Sequence, residues 1–330
     1  MGTYLNPDNS KFQESINSDI YVDKTGLITY TNSVIHTQQK CICVSRPRRF
    51  GKSMAANMLS AYYSRGCDSK ELFQNLEIAE DDQFETYLNQ YDVIFLNVQE
   101  FLSQSKNIDE MISLIRRSVL WDLLGEYPEF RYFDTSNLTR TMQDVYQQTK
   151  CPFVVIIDEW DCVFREYKTD RETQERYLDF LRDLLKDKGY IHLAYMTGIL
   201  PIKKYGTHSA LNMFDEFSMI EPGPLASYVG FTETEVQKLC GQYDMELEEV
   251  KNWYDGYSFD KALSVYSPRS VVSCMRLGKI GNYWNQTETF EALQVYIDMN
   301  FEGLKDDVLS MIAGNSVPVN IGNFANDMST

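Results

Sequence analysis

Short runs of apolar residues alternate with longer amphipathic segments along the first two thirds of the chain. Runs that are apolar throughout predict strands buried on both faces, as in a parallel sheet. The segments between them carry apolar residues at helical spacing, which predicts an α/β fold with helices covering the sheet. The predicted strands are Cys41–Ser45, Val93–Val98, Phe153–Ile157, Ile191–Thr197 and the weaker run Phe217–Glu221, and the clearest predicted helices are Met54–Tyr63, Ile108–Leu124 and Arg171–Lys186.

The pattern changes near residues 225–230. Thr232 and Glu235 have the spacing of a capping box, which predicts a helix from there through Cys240. Further on, a turn signal between aromatic runs predicts a hairpin of 257–259 with 263–266, and Pro268 is expected to begin another helix. We therefore predict two domains: a core over residues 1–228 and a small, mainly helical domain with a hairpin over 229–330.

Composition narrows the class of protein. The 330 residues include 31 Lys and Arg against 48 Asp and Glu, a formal net charge of −17. This balance argues against broad, non-specific nucleic-acid binding by the whole surface, and a local basic patch leaves nucleic acid an open question. The apolar runs are too short to span a bilayer, and the N-terminus lacks the features of a secretory signal. We expect a cytoplasmic protein with no membrane partner.

The cysteines and histidines do not form a metal-binding pattern. Seven cysteines occur without a C-x-x-C pair, and the three histidines are scattered. Buried, reduced thiols are the expected state of the cysteines.

A loop with the features of a phosphate-binding loop follows the first predicted strand. The apolar run ends in a basic segment and a Gly-Lys-Ser triplet, and a predicted helix follows. Glycine lets backbone N–H groups approach phosphates, the lysine reaches them as a point charge, and the serine hydroxyl ligates Mg²⁺. The candidate nucleotide-binding residues are Arg46, Pro47, Arg48, Arg49, Phe50, Gly51, Lys52, Ser53 and Met54.

The match to the full loop pattern is incomplete. G-x-x-x-x-G-K-[ST] requires glycine at position 46, where this chain has Arg46. Taken alone, the triplet favours the other interpretation, a basic loop that precedes a chance Gly-Lys-Ser.

A second element strengthens the phosphate-loop interpretation. The buried run Phe153–Ile157 ends in Asp158 and Glu159. Asp158 fits a ligand of Mg²⁺ together with Ser53, and Glu159 fits a base that deprotonates an attacking water. Solvated acids at a strand end are the alternative. Both elements in this order, on predicted parallel strands, favour a nucleoside triphosphate site.

A third element is the Thr197–Gly198 end of the next strand. A polar side chain there lies beside the carboxylate strand, where it could touch a γ-phosphate or the attacking water. A simple turn at the end of a strand explains the same residues.

Together these segments resemble a known family. The residues that carry the resemblance are Tyr21–Thr25, Ser45–Ser53, Ile156–Glu159 and Thr197–Gly198, and later Ser209–Asn212, Gly230–Thr232, Trp253–Tyr257 and Val265–Ser270. This set is similar to the predicted AAA-ATPase-like family, a bacterial branch of the P-loop ATPases with an additional strand and a catalytic glutamate. In that family the loop usually reads Arg-Pro-Arg-Arg-Phe-Gly-Lys, so Arg46 agrees with it.

The resemblance implies a five-stranded parallel sheet in the order 5-1-4-3-2 and ATP rather than GTP as the nucleotide. Many members continue into a nuclease-like domain of the PD-(D/E)XK type. We find no such constellation up to Thr330, and two interpretations stay open: a fragment of a longer protein, or a stand-alone ATPase part. The expected partners are ATP or ADP, with self-association and a nuclease-like effector domain as further candidates.

Other residues have two interpretations each. An arginine of the loop clamps phosphate or pairs with the surplus carboxylates. Asp23 and Lys24 contact adenine or form a surface ion pair. Lys203 and Lys204 supply charge to a γ-phosphate or form a solvated turn. The aromatic group Trp253, Tyr254 and Tyr257 stacks on bases or fills the core of the small domain.

The function predicted from these residues is Mg²⁺-dependent hydrolysis of ATP to ADP and phosphate. Lys52, Glu159 and Thr197 are the predicted catalytic residues, with Thr197 sensing the γ-phosphate, and Ser53 and Asp158 are the predicted metal ligands. One alternative is a switch that binds nucleotide with little or no turnover and gates a partner or effector domain. A third interpretation, a small-molecule kinase, requires an acceptor pocket for which the sequence has no clear signal.

Overall fold

Five strands form one parallel sheet in this computed structural model, which describes residues 2–202, 211–219, 221–259 and 263–283 and a few single positions between 306 and 317. The strand order is β2-β3-β4-β1-β5, which is the predicted order 5-1-4-3-2 read from the other edge. Each neighbouring pair is parallel. The strands are β1 (Cys41–Ser45), β2 (Asp92–Asn97), β3 (Phe153–Asp158), β4 (Ile191–Gly198) and β5 (Asp215–Phe217).

Helices connect the strands and cover both faces of the sheet. They confirm the three segments predicted from helical spacing, with ends that differ by one or two residues. The helices up to β5 are α1 (Ser10–Ile16), α2 (Gly26–Val34), α3 (Lys52–Tyr63), α4 (Lys70–Phe73), α5 (Phe84–Tyr87), α6 (Val98–Ser103), α7 (Ile108–Glu126), α8 (Leu138–Thr149), α9 (Cys162–Glu166) and α10 (Arg171–Leu185).

Successive residues of each strand pack on opposite faces of the sheet, because side chains alternate along a strand. In β3, Val155 and Ile157 belong to a core shared with α7, α8 and α10, whereas Val154 and Ile156 belong to a core shared with α2 and α3. All four side chains are fully buried. The apolar runs are therefore continuous in the sequence because both faces of the sheet are covered.

Two predicted strands extended too far at their C-terminal ends, and the other differences in strand ends are one or two residues. Residues 218–221 were predicted as strand, but β5 ends at Phe217, and the chain turns where the Ser218 N–H donates to the Glu221 carbonyl. Val98 begins α6 instead of ending β2. The side chain of Asn97 caps this helix by accepting a hydrogen bond from the backbone N–H of Glu100.

A second, antiparallel sheet of three strands follows the parallel sheet in the chain. Its order is β6-β8-β7, and the predicted hairpin and both predicted helices are present. Thr232 and Glu235 form the predicted capping box. The division at residues 228 and 229 stays a prediction. The elements are β6 (Phe231–Thr232), α11 (Glu233–Tyr243), α12 (Leu247–Tyr254), β7 (Asp255–Phe259), β8 (Leu263–Tyr266) and α13 (Pro268–Leu277).

All seven cysteines are free thiols, and five of them are buried. Burial raises the pKa of Cys41 to about 11, which keeps this thiol protonated at neutral pH. Of the helices in the part of the chain that the structure describes, none has the length and apolar character needed to cross a bilayer.

Candidate functional site

The basic loop follows the carboxyl end of β1 and leads directly into α3. Gly51 precedes the helix with φ +91°, a left-handed conformation that residues with a Cβ rarely adopt. A Cβ at this position would meet no atom within 4 Å, so the backbone conformation, and not space, requires glycine. This turn aims the first N–H groups of α3, which have no carbonyl partner within the helix, at the space beyond the sheet.

Lys52 is the first residue of α3, and its side chain is 4% exposed. Its Nζ donates a hydrogen bond of 3.0 Å to the carbonyl oxygen of Pro47, across the loop. Burial lowers the pKa of Lys52, and the nearby charges of Glu159 and Asp158 oppose that shift. The sequence places these acids more than a hundred residues away, and the fold brings them next to the lysine.

Arg46 occupies the position where the full loop pattern has glycine, and its side chain is completely buried. Its Nη1 donates to the carbonyl oxygens of Ser45 (2.9 Å) and Phe217 (2.8 Å). The guanidinium thus joins the end of β1 to the end of β5. A phosphate contact through the side chain of Arg46 stays a prediction.

Asp158 is the last residue of β3 and is 2% exposed. Its Oδ1 accepts hydrogen bonds from the Thr197 hydroxyl and from the Glu159 backbone N–H, the second at 3.1 Å. Because β4 lies between β1 and β3, the ends of β1 and β3 are two strand spacings apart, about 10 Å. A triphosphate held by the loop can therefore reach the acids.

The structure places Thr197 differently from the prediction that it touches a γ-phosphate. Thr197 is fully buried, and its hydroxyl donates to Asp158. The next residue, Gly198, packs so closely that a Cβ would lie 2.6 Å from Nε1 of Trp160. Thr197 therefore acts on the site through Asp158, and Gly198 leaves room for Trp160.

Glu159 leaves the strand with φ +55°, an uncommon backbone conformation for a residue other than glycine. Its carboxylate forms an ion pair with Arg165, with 2.5 Å between Oε2 and Nη2. Burial raises the pKa of Glu159, while the charges of Lys52 and Arg165 oppose the shift. A carboxylate of raised pKa is a better proton acceptor for general-base chemistry.

One cavity of about 1040 Å³ joins the loop to the acidic strand end. Its volume is at the upper end of the range of small-molecule sites. Asp158, Thr197, Arg46 and Pro47 do not line it. The predicted site residues that do line it are Arg48, Arg49, Phe50, Gly51, Lys52, Ser53, Met54 and Glu159.

The walls of the cavity include residues that the sequence did not single out. Arg165 lines it from α9, and Asn97 lines it from the end of β2, where it is in register with Asp158. Arg269 lines it from α13. The signal for Asn97 is visible in hindsight, because a polar residue ends the strand next to the carboxylate strand. Nothing in the spacing distinguishes Arg165 from other helical arginines.

Lys24 also lines the cavity, and neither predicted role describes what its side chain does. Its Nζ forms an ion pair of 2.6 Å with Glu235 and donates to the Ser227 carbonyl. Asp23 accepts hydrogen bonds from Thr25 and from the backbone N–H of Glu77, so it organises its own turn. Lys24 and Glu235 tie the N-terminal segment to the capping box of α11. The basic pair 203–204 lies outside the described residues.

The donor set fits Mg²⁺ bound together with phosphates. Ser53 offers a hydroxyl at the start of α3, and Asp158 offers a carboxylate that Thr197 orients. Within the described ranges, no group of three or more His, Cys, Asp or Glu side chains could hold a metal ion. Mg²⁺ matches such a sparse set of oxygen ligands, because it keeps several waters and takes its other ligands from substrate phosphates.

A family model described as Predicted AAA-ATPase matches residues 9–207, more than half of the chain. The chain belongs to the AAA-ATPase-like family. This finding confirms the resemblance drawn from the loop, the acidic strand end and the Thr-Gly pair. Members of this family are predicted ATPases, and all the elements of the candidate site before residue 208 lie within the matched range.

A curated relative of this AAA-ATPase-like chain is an uncharacterised protein encoded in the vnfD 5′ region of Azotobacter chroococcum mcd 1. The two are 22% identical over 280 residues, which cover 82% of this chain and 51% of that protein. The chain thus spans about half the length of this curated relative.

Three solved structures are distantly similar. Aeropyrum pernix ORC1 in complex with DNA has a TM-score of 0.40 and 10% identity, over 84% of this chain and 60% of that chain. ORC2 of Aeropyrum pernix, in ADPNP and ADP complexes, has a TM-score of 0.40 and 10% identity, over 97% of this chain and 88% of that chain. Replication initiator DnaA bound to AMPPCP and single-stranded DNA has a TM-score of 0.37 and 8% identity, over 92% and 74%.

Proposed function

We propose that this protein binds ATP with Mg²⁺ and hydrolyses it to ADP and phosphate. The observation that carries the proposal is the single cavity lined both by the Gly51–Lys52–Ser53 turn and by Glu159. The choice of ATP rather than another nucleoside triphosphate rests on membership of a family of predicted ATPases.

In this proposal the loop holds the phosphates. Lys52 exchanges its hydrogen bond to the Pro47 carbonyl for the phosphate oxygens, and the N–H groups at the start of α3 donate to them. Because Lys52 is nearly buried, its charge acts on a ligand with little screening by water. Arg48 and Arg49 line the same cavity and add positive charge close to the loop.

The acidic strand end supplies the remaining groups. Ser53 and Asp158 would hold Mg²⁺, which when bound neutralises charge on the phosphate oxygens. Thr197 keeps Asp158 in position, and Glu159 accepts a proton from the water that attacks the γ-phosphate. Most of the rate enhancement would come from positioning and electrostatics, since phosphoryl transfer needs little covalent chemistry from the protein.

The ion pair between Arg165 and Glu159 favours a second candidate function. A contact that kept the carboxylate from accepting a proton would slow turnover and would suit a nucleotide-loaded switch that gates a partner. In that case Arg165→Met would speed hydrolysis instead of slowing it. The two functions share the binding site and differ in the rate of the chemical step.

Mass spectrometry of nucleotide that copurifies with the protein, followed by a phosphate-release assay with and without DNA, tests the proposal. We expect ATP or ADP in the purified protein. We further expect phosphate release that Glu159→Gln slows about 100-fold or more while ATP stays bound. Glu175→Gln, an exposed glutamate on α10, is the matched control and should keep the wild-type rate. Bound nucleotide without phosphate release identifies the switch, and normal hydrolysis by Glu159→Gln contradicts the assigned role.

A further inference from the structure

Arg165 reaches the cavity from a short helix and contacts two acids at once. Its Nη2 lies 2.5 Å from Oε2 of Glu159, and its Nε lies 3.3 Å from Oδ2 of Asp161. The side chain of Arg165 is 17% exposed and that of Glu159 is 24% exposed. The pair is therefore partly shielded from solvent, where ion pairs are stronger than at an open surface.

Asp161 is held in place by the backbone and so fixes the position of Arg165. Its side chain has no exposed surface. Its Oδ2 accepts hydrogen bonds from the backbone N–H groups of Ile199 (3.1 Å) and Leu200 (2.9 Å), just after β4. Because these two backbone N–H groups hold the carboxylate of Asp161, it stays in place when the side chain of Arg165 moves. Arg165 is consequently anchored to the sheet, and Glu159 is anchored through Arg165.

Without Arg165, Glu159 would face another cation. Glu159 and Lys52 line the same cavity, and each is close enough to shift the pKa of the other. Opposite charges in a partly buried site attract strongly. A direct pair between them would remove the base from the attacking water and the lysine from the phosphate. Arg165 offers Glu159 a different partner and so keeps the two groups apart.

We propose that Arg165 is a positioning residue that holds Glu159 in place for the attack of water on the γ-phosphate. This role rests on the ATP hydrolysis proposed above. The geometry explains why arginine is present: Nη2 of its guanidinium donates a hydrogen bond to Glu159, while its Nε lies within ion-pair distance of Asp161 without a hydrogen bond to it. A lysine carries one ammonium group and cannot span the two acids in this way.

The experiment compares four proteins with the wild type: Arg165→Met, Arg165→Lys, Glu159→Gln and the double variant Arg165→Met with Glu159→Gln. Single-turnover hydrolysis of radiolabelled ATP gives the rate of the chemical step, and titration with a fluorescent ATP analogue gives the affinity. Thermal unfolding identifies any variant that fails to fold. Arg176→Met is the matched control, because Arg176, on α10, forms exposed ion pairs with Asp109 and Glu172.

We expect Arg165→Met to slow hydrolysis about 10-fold to 100-fold, the range that misplacement of a catalytic group produces. Arg165→Lys should be closer to Arg165→Met than to the wild type, and ATP affinity should change by less than about threefold in both. In the Glu159→Gln background, Arg165→Met should add less than about a twofold effect, because the group that it positions is already disabled. Arg176→Met should match the wild type.

The outcomes separate the two proposals. Absence of hydrolysis by the wild-type protein overturns the proposed function and this role with it. An active wild type whose rate survives Arg165→Met overturns only the role of Arg165. An equal loss from Arg165→Met with and without Glu159→Gln also overturns it, because Arg165 would then act independently, for example by touching the phosphate.

Discussion

Asp92 and Asp158 are two buried carboxylates at opposite ends of neighbouring strands in the same parallel sheet. Asp92 begins β2, and Asp158 ends the neighbouring strand β3. Asp92 has no exposed surface and Asp158 is 2% exposed, so burial alone does not distinguish them. The two sites differ in what surrounds the carboxylate.

The carboxylate of Asp92 is surrounded by protein donors. It accepts hydrogen bonds of 2.7 Å from Asn6 and from the Tyr127 hydroxyl, and Arg65 forms an ion pair with it at 2.9 Å. Asp158 has donors from Thr197 and Glu159 on one oxygen, and the next residue in the chain, Glu159, lines the large cavity. Removing one partner from a buried charge that is satisfied entirely by protein groups is strongly destabilising, whereas a buried carboxylate at the end of a strand that leads into a cavity is a candidate to act on a ligand.

The largest effect that we predict is on ATP affinity and concerns Lys52, at the end of the sheet where the cavity lies. Lys52→Ala should lower ATP affinity by at least about 100-fold, because it removes a nearly buried charge and leaves Asp158 and Glu159 to repel the phosphates. Isothermal titration with ATP and Mg²⁺ measures this change. Lys70→Ala removes an exposed lysine that pairs with Glu85, and it should bind ATP normally. Equal affinity of wild type and Lys52→Ala would place the nucleotide elsewhere.

Asp92 lies at the other end of the strands. Asp92→Asn should lower the free energy of unfolding by about 3 kcal/mol, because it breaks a buried, hydrogen-bonded ion pair. It should leave ATP affinity unchanged. Urea unfolding and ATP titration measure the two quantities. Asp109→Asn, which breaks an exposed pair with Arg176, should change stability by less than about 0.5 kcal/mol. The comparison breaks down if Asp92→Asn weakens ATP binding as strongly as Lys52→Ala does.

The smallest predicted effect concerns the histidine pair His36 and His192, at the same end of the strands as Asp92. Burial, the neighbouring His36 and Lys40 lower the pKa of His192 to about 4, below its unfolded value of about 6.5. The unfolded chain therefore takes up a proton first as pH falls, so this contribution to stability is complete above about pH 7 and is lost progressively between about pH 6.5 and 4.

His192→Phe keeps an aromatic ring but removes the titration. Between pH 7.5 and 5, the wild type should lose about 1 kcal/mol more unfolding free energy than this variant. Urea unfolding at both pH values measures the difference. A parallel decline of the two proteins would show that the pKa of His192 does not differ between the folded and unfolded states in this range.

The sequence was sufficient to predict four of the strands and the strand–loop–helix segment around Gly51, because both depend on local patterns, whereas the strand order was implied by the family resemblance. Apolar strands buried on two faces leave continuous runs, and a glycine between an apolar run and a helical segment marks the turn. The fifth strand was misplaced, because Phe217 is its last residue and not, as predicted, its first. Short edge strands carry little apolar signal of their own.

Side-chain direction could not be predicted. Arg46 looked like part of a basic phosphate clamp, but the carbonyl of Phe217, 171 residues away, accepts a hydrogen bond from its guanidinium. Thr197 was correctly expected beside the carboxylate strand, but its contact with Asp158 depends on the register of two strands. The Arg165–Glu159 pair depends on the left-handed turn at Glu159, which no residue type announces.

The side chain of Phe50 packs where the basic loop meets the antiparallel sheet. This aromatic ring of the basic loop is 2% exposed, and a Cβ on Gly230 would lie 3.3 Å from its Cδ1 and 2.4 Å from Cγ1 of Val265, in the antiparallel sheet. The loop and that sheet therefore share one packed contact. Any coupling through this contact is reciprocal. If an occupant of the loop stabilises the packing of β8, that packing raises the affinity for the occupant by the same free energy. Protection of β8 from local unfolding would then report occupancy of the loop.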